Sequence, residues 1–278
     1  MSAQIRSNRI GADALAAQVQ AGHVRAISRA ITLLEDQDPD GFAILQALEP
    51  VQRRAAVIGV TGYPGAGKST LIDQLVTAYR RQGKTVGVLA IDISSSRTGG
   101  ALLGDRIRMH AHALDTGVYI RSMATRGQRG GLARATREAV TVLDAAGFEI
   151  ILIETIGVGQ GDVDVLEVAD TVLAVVAPGL GDDIQAMKAG LLEVAHLIVV
   201  NKADHPGAAA TLGDLRDWYP HVLGTVAVSG TGMSEVMAAI TAHRQVSPLP
   251  RKVPSERMCE PSTDEQRAAM PTRCEITS

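Results

Sequence analysis

The chain has 278 residues and a net charge of −3, with 46% apolar and only 3% aromatic residues. This length and apolar content suit one domain with terminal additions and a core of aliphatic side chains. The mild negative charge argues against a protein that binds nucleic acid or anionic membranes, and no apolar run reaches the roughly 18 residues of a membrane helix. The N-terminus lacks the apolar segment of a secretory signal, and both cysteines, Cys259 and Cys274, lie in the polar tail, so we expect a cytoplasmic location.

The predicted elements divide the chain into three parts. Residues 1–50 have helical periodicity and predict an N-terminal helical extension. Residues 51–245 alternate apolar strands with helices, which predicts an α/β domain with a mostly parallel sheet covered by helices on both faces. Residues 246–278 hold five prolines and few large apolar side chains, which predicts a disordered tail. The predicted helices are 12–21, 24–34, 42–48, 68–80, 131–146, 182–194, 208–218 and 233–243, and the predicted strands are 55–60, 85–91, 148–153, 171–177, 197–200 and 224–228.

A phosphate-binding motif, G-x-x-x-x-G-K-[ST], lies between the first predicted strand and the helix after it. Such a loop surrounds a phosphate with backbone N–H groups at a helix N-terminus. Its lysine, here Lys68, reaches the terminal phosphates, and its first hydroxyl, here Ser69, can ligate Mg²⁺. A glycine-rich turn with an exposed lysine is the alternative, but the flanking strand and helix favour nucleoside triphosphate binding. The predicted nucleotide contacts are Gly62, Tyr63, Pro64, Gly65, Ala66, Gly67, Lys68, Ser69 and Thr70.

A second motif, Asn201-Lys202-Ala203-Asp204, follows the next-to-last predicted strand. The guanine edge presents two adjacent donors that one carboxylate accepts together, whereas adenine offers an acceptor and no amine, so Asp204 would select guanine. Asn201 would bond the other edge of the purine and brace the loops, and the Lys202 stem would lie along the base. A solvated turn is the alternative, but the position at a strand end after a phosphate loop favours GTP. Backbone contacts to the guanine oxygen, for which a plain turn is an equal alternative, are assigned to Ser229, Gly230 and Thr231.

Three acids are candidate magnesium ligands and, with Lys68, candidate catalytic groups: Glu154 and Asp92 at strand ends and Asp105 in a glycine-rich loop. Mg²⁺ prefers few carboxylates together with phosphate oxygens and waters, so which of the three bind it directly stays open. Helix capping or a turn is the alternative role for each acid. Gly157 would let its backbone N–H approach the γ-phosphate. Because no glutamine is placed to orient the attacking water, we expect slow intrinsic hydrolysis and activation by a partner.

The stretch 178–188 carries two glycines and then Asp182, Gln185 and Lys188 at three-residue spacing. This spacing places the three side chains on one face of a helix. A capped, solvated helix explains the pattern as well as a functional loop does. The histidines and cysteines form no cluster with metal-ligand spacing, so a stored or delivered metal ion is not expected.

Residues 10–245 resemble the methylmalonyl-CoA mutase-associated GTPases, the MeaB and ArgK group, with the most specific matches at 89–109, 120–160 and 178–204. The resemblance implies a P-loop GTPase that acts as a chaperone for an adenosylcobalamin-dependent acyl-CoA mutase. Family members gate loading and release of the mutase's cofactor and protect the mutase from inactivation, and the mutase accelerates GTP hydrolysis.

The resemblance also implies functional loops. Residues 92–109 and 154–161 would respond to the nucleotide, and a third loop would respond to the mutase through Asp182, Gln185 and Lys188. Family members usually continue into a C-terminal helical arm that pairs two subunits. This chain continues into its proline-rich tail instead, so a homodimer is an open alternative but is not expected to pair through such an arm.

Two other functions compete with the chaperone. A P-loop kinase for a small molecule is disfavoured by the guanine motif, because most such kinases use ATP. A GTPase that inserts nickel or cobalt is disfavoured by the missing Cys/His cluster.

Overall fold

The computed structural model describes residues 11–48, 55–92, 112, 114–125, 132–156, 160–179 and 195–246, without the side chains of 160–163. None of the helices in this part of the chain has the length and hydrophobicity that a membrane crossing requires. The strands are β1 (Ala56–Thr61), β2 (Val86–Asp92), β3 (Val118–Ala124), β4 (Ile150–Glu154), β5 (Thr171–Val176), β6 (Leu197–Val200) and β7 (Val222–Gly224). The α-helices are α1 (Ala12–Gln20), α2 (Val24–Glu35), α3 (Pro39–Leu48), α4 (Lys68–Arg81), α5 (Thr136–Ala145), α6 (Ala208–Arg216) and α7 (Met233–Val246), and a 3₁₀ helix spans Gln160–Glu167.

The strands form one seven-stranded sheet in the order β3-β2-β4-β1-β5-β6-β7. Every neighbouring pair is parallel. The central strands β1, β4 and β5 are buried at every residue, as their continuous apolar runs predict for a sheet covered on both faces. All strands therefore end at one edge of the sheet, where ligands bind in open parallel sheets. The predicted α/β fold with a P-loop helix after β1 is confirmed.

Helices cover the two faces of the sheet with separate apolar clusters. Helices α4 and α7 pack on one face, through buried residues that include Leu71, Leu75 and Ile240. Helices α1 to α3 and α5 pack with the opposite face, and α6 covers that same face at the β5–β7 end. The stripe of α2 that contains Ile27 and Ile31 is completely buried, as expected for a helix that packs its apolar side into a core.

Polar contacts attach the N-terminal helices to the edge strand β3. The Ser28 and Tyr119 hydroxyls lie 3.1 Å apart, and Arg121 donates to the Thr32 hydroxyl at 3.1 Å and forms an ion pair with Glu35. These contacts hold α2 against the face of the sheet at its edge strand β3. The described residues belong to one compact unit, and the proposed domain boundary at residue 50 stays a prediction.

The structure differs from the sequence-based elements at the ends of the sheet. Strand β3 was not predicted, because Arg121 and Ser122 interrupt its apolar pattern; it forms through seven register pairs with β2. The predicted strand 224–228 is wrong, because pairing with β6 ends at Gly224. The Thr225 N–H then donates to Val200 at 2.8 Å, and the chain turns into the loop that follows.

Helix predictions were also corrected in part. The predicted helix 131–146 begins only at Thr136, and the 3₁₀ helix was not predicted. The predicted helix 182–194 and the tail from residue 247 lie outside the described residues.

Candidate nucleotide-binding site

Three glycines in the loop between β1 and α4 have positive φ angles, and the two that belong to the motif also lack space for a side chain. Gly62 has φ +136° and Gly67 has φ +96°, both in the region that L-residues rarely adopt. A Cβ atom at Gly62 would also overlap the Val175 carbonyl of the neighbouring strand, and one at Gly67 would overlap the Asn201 amide nitrogen. The two motif glycines are therefore required by close approach of β5 and of the guanine motif, as well as by conformation.

Lys68 begins α4 and is buried under the loop that precedes it. Its ammonium donates to the Gly62 carbonyl at 2.7 Å and lies 3.3 Å from the Tyr63 carbonyl. These contacts place a positive charge beside the glycine-rich turn and at the positive end of the α4 dipole. Both features favour an anionic ligand at this point. The loop residues Pro64 and Gly65 are exposed, and Thr70 is half-buried in the first turn of the helix.

The second motif residue, Ser69, contacts the acid predicted to act with it. The Ser69 hydroxyl donates to Glu154 Oε1 at 2.7 Å, and both residues are buried. Strand alternation explains the meeting: Glu154 points to the α4 side of the sheet, as Leu152 and Ile150 do, and α4 carries Ser69 over the end of β4.

Asp92 is placed at the same edge on the neighbouring strand. Its strand pairs with β4 so that Ala90 lies opposite Glu154, and Asp92 extends two residues further on the same face. A hydroxyl with one or two carboxylates is a set of hard oxygen donors that fits Mg²⁺. Of the other predicted groups here, Asp105 and Gly157 lie outside the described residues.

Asn201 joins the phosphate loop to the guanine motif. Its amide nitrogen donates to the Ala66 carbonyl at 2.9 Å, and its amide oxygen accepts from the Ala227 N–H at 3.0 Å and the Thr225 hydroxyl at 3.2 Å. Asn201 is 3% exposed, so water cannot replace these bonds. The residue thus ties three loops together, and the motif alone did not indicate Thr225 or Ala227 as its partners.

The rest of the guanine motif is arranged around a strained turn. Lys202 has φ +57°, an uncommon conformation for a residue other than glycine, and its carbonyl accepts from the His205 N–H at 2.9 Å. Asp204 follows with an exposed carboxylate. In the loop after β7, which also contains Gly230, the Ser229 and Thr231 hydroxyls lie 2.8 Å apart. The predicted base contacts therefore end two adjacent strands, β6 and β7.

The predicted partner-responsive residues Asp182, Gln185 and Lys188 lie outside the described residues. Their role stays a prediction.

Lys68 is buried in a strand–loop–helix turn, and the hydroxyl that follows it donates to Glu154. The Asn-Lys-x-Asp turn is bonded to the same loop through Asn201 and the Ala66 carbonyl. Together these features characterise the P-loop GTPases. Within that class, the family model described as methylmalonyl Co-A mutase-associated GTPase MeaB matches residues 27–257. The match spans most of the chain, and the protein belongs to this GTPase family, as the sequence analysis expected.

Individual relatives agree with the family. The chain is 48% identical over 246 residues to a putative GTPase of Pyrococcus abyssi, across 84% of this chain and 76% of the relative. It is 38% identical over 201 residues to the fused isobutyryl-CoA mutase of Geobacillus kaustophilus, across 69% of this chain and 18% of that protein. A solved structure of an LAO/AO transport system kinase superimposes with a TM-score of 0.66 at 28% identity, across 86% of this chain and 76% of that one.

Proposed function

We propose that this GTPase is a GTP-dependent chaperone for an adenosylcobalamin-dependent acyl-CoA mutase, gating loading and release of the mutase's cofactor and protecting the enzyme. The observation that carries the proposal is the fused relative, in which a stretch similar to 69% of this chain is part of a protein named an isobutyryl-CoA mutase. The family description also names a mutase, methylmalonyl-CoA mutase. Which acyl-CoA mutase is served stays open, and the cytoplasmic location stays a prediction.

In this proposal GTP binds at the carboxyl edge of the sheet. The loop from Gly62 to Gly67 and the Lys68 ammonium would bind the phosphates, since the lysine already lies against the loop carbonyls. Ser69, with Glu154 and Asp92, would hold Mg²⁺, and the bound ion would offset negative charge on the β- and γ-phosphate oxygens.

Guanine would bind between the ends of β6 and β7. Asp204 would accept hydrogen bonds from the ring N1–H and the exocyclic amine, and the backbone of the loop from Ser229 to Thr231 would face the guanine oxygen. Asn201 would act mainly as the brace that keeps this pocket in register with the phosphate loop, because its amide bonds both parts.

Hydrolysis by the protein alone would be slow and the mutase would accelerate it. Phosphoryl transfer depends on positioning the attacking water and on stabilising charge, and a partner protein can supply or order the missing group. Release of the γ-phosphate would then change the loops that contact it and, through them, the hold on the mutase.

The test is GTP hydrolysis by the purified protein, measured alone and with an adenosylcobalamin-dependent acyl-CoA mutase of the same organism. Lys68→Ala supplies the inactive control. Lys84→Ala is the matched control, since Lys84 is an exposed lysine ion-paired with Glu149 at 2.6 Å, away from the phosphate loop. We expect the mutase to accelerate hydrolysis by the wild type and by Lys84→Ala, and not by Lys68→Ala. No acceleration at concentrations where the pair binds would refute the chaperone role and leave metal insertion as the function to test.

A further inference from the structure

Two described residues that precede β3, His112 and Asp115, contact side chains of α4. At the far end of the helix, the Arg80 guanidinium donates to both oxygens of Asp115, at 2.9 and 2.8 Å. Nearer the phosphate loop, His112 Nε2 lies 3.1 Å from Asp73 Oδ1 and 3.5 Å from the Thr77 hydroxyl. His112 and Asp115 therefore both lie beside the helix that begins with the phosphate-binding lysine.

The histidine contact lies close to the catalytic end of this helix. Asp73 follows Ser69 by about one turn, and residues four apart share one side of a helix. A displacement of Asp73 would therefore shift the turn of α4 that carries the Ser69 hydroxyl, which donates to Glu154. The Arg80–Asp115 contact lies about two turns further from that hydroxyl.

The contact between His112 and Asp73 is largely shielded from water. The His112 side chain is 11% exposed and that of Asp73 is 27% exposed. Asp73 Oδ1 is itself buried and makes no hydrogen bond within the described part of the chain, although it lies in ion-pair range of the ring. A buried carboxylate oxygen without a hydrogen bond is costly, and the His112 ring nitrogen is the described group placed to offset that cost.

The other charged groups near His112, among the described residues, are Asp115 and Arg80. The Arg80 hydrogen bonds hold the pKa of Asp115 below its usual range, and His112 contributes to that lowering. Since the Arg80 guanidinium is committed to Asp115, Asp73 is the carboxylate that His112 contacts.

We propose that His112 is a positioning residue for GTP hydrolysis, whose imidazole holds Asp73 and so the first turns of α4 in the arrangement that presents Ser69 to Glu154. The proposal concerns the protein's own GTPase activity and does not depend on the mutase.

The experiment compares His112→Gln, His112→Lys and Asp73→Asn with the wild type in steady-state GTP hydrolysis without a mutase. We expect His112→Gln and Asp73→Asn to lower kcat about threefold to fivefold with KM for GTP nearly unchanged, the scale that a partly exposed ion pair supports. His112→Lys, whose ammonium can still donate to the Asp73 carboxylate, should retain more activity than His112→Gln.

Two further variants separate positioning from simple stability. Asp115→Asn breaks the ion pair with Arg80, which lies further from Ser69, and should lower the unfolding midpoint while leaving kcat unchanged. The double variant His112→Gln/Asp73→Asn should lose no more activity than either single variant, since both remove one interaction. Additive losses in the double variant, or an equal loss in Asp115→Asn, would overturn the proposal. Failure of the mutase to accelerate hydrolysis would leave this result untouched.

Discussion

Asn201→Ala should destabilise the protein even without nucleotide. The substitution removes the donor to the Ala66 carbonyl and the acceptor for the Ala227 N–H. Ala66 and Ala227 are 0% and 2% exposed, so water cannot replace the lost partner. Each buried backbone group left unsatisfied costs about 1–3 kcal/mol, and the two together predict a loss of about 3 kcal/mol in the free energy of unfolding. For a domain of this size that corresponds to a fall of about 6–12 °C in Tm.

The measurement is urea unfolding of the nucleotide-free protein, followed by far-UV circular dichroism. Asp204→Ala is the matched control, because its carboxylate lies in the same motif but is exposed. That variant should unfold within about 0.5 kcal/mol of the wild type. It should nevertheless lose roughly 100-fold in affinity for a fluorescent GTP analogue, as expected when a charged acceptor of two hydrogen bonds is removed. Equal unfolding midpoints for Asn201→Ala and the wild type would refute the inference that Asn201 braces the loops.

Three other perturbations give separate outcomes. Gly67→Ala should fold but lose GTP binding in a filter assay, because alanine would have to adopt a φ of +96° and its methyl group would displace the buried Asn201 amide; unchanged affinity would contradict the argument. Glu35→Ala should lower the free energy of unfolding by about 3 kcal/mol in a urea titration, because it leaves Arg121 without its largely buried partner; a change below about 0.5 kcal/mol would be the refuting result. Burial, and to a smaller extent His221, lowers the pKa of His243. The unfolded state therefore binds this proton first, and stability should decline as pH falls from about 6.5. A urea midpoint with the same pH dependence in His243→Gln as in the wild type would exclude that group as the cause.

Much of the fold could be predicted from local pattern. The buried strands β1, β4 and β5 are continuous apolar runs, and such runs separated by amphipathic helices leave few alternatives to a parallel sheet covered on both faces. Strand β3 could not be predicted in this way. Its polar residues Arg121 and Ser122 are typical of a loop. They lie in a strand because β2 pairs with them and because Arg121 bonds Glu35 and Thr32 on α2.

The same distinction separates the chemistry from its geometry. The phosphate motif and the Asn-Lys-x-Asp motif determined the class of protein by themselves, because each combines residue types that one kind of ligand requires. The sequence could not indicate that the Asn201 amide forms hydrogen bonds with Ala66, Thr225 and Ala227, since those partners are distant in the chain.

Local preferences act over one helical turn or one strand, so the sequence by itself determined the strand–loop–helix order and the presence of a GTP motif. The contacts of Ser69 with Glu154, of Asn201 with Ala66 and of His112 with Asp73 join residues from different elements. They depend on strand order and register, which are set by long-range packing, and only the tertiary structure decided them.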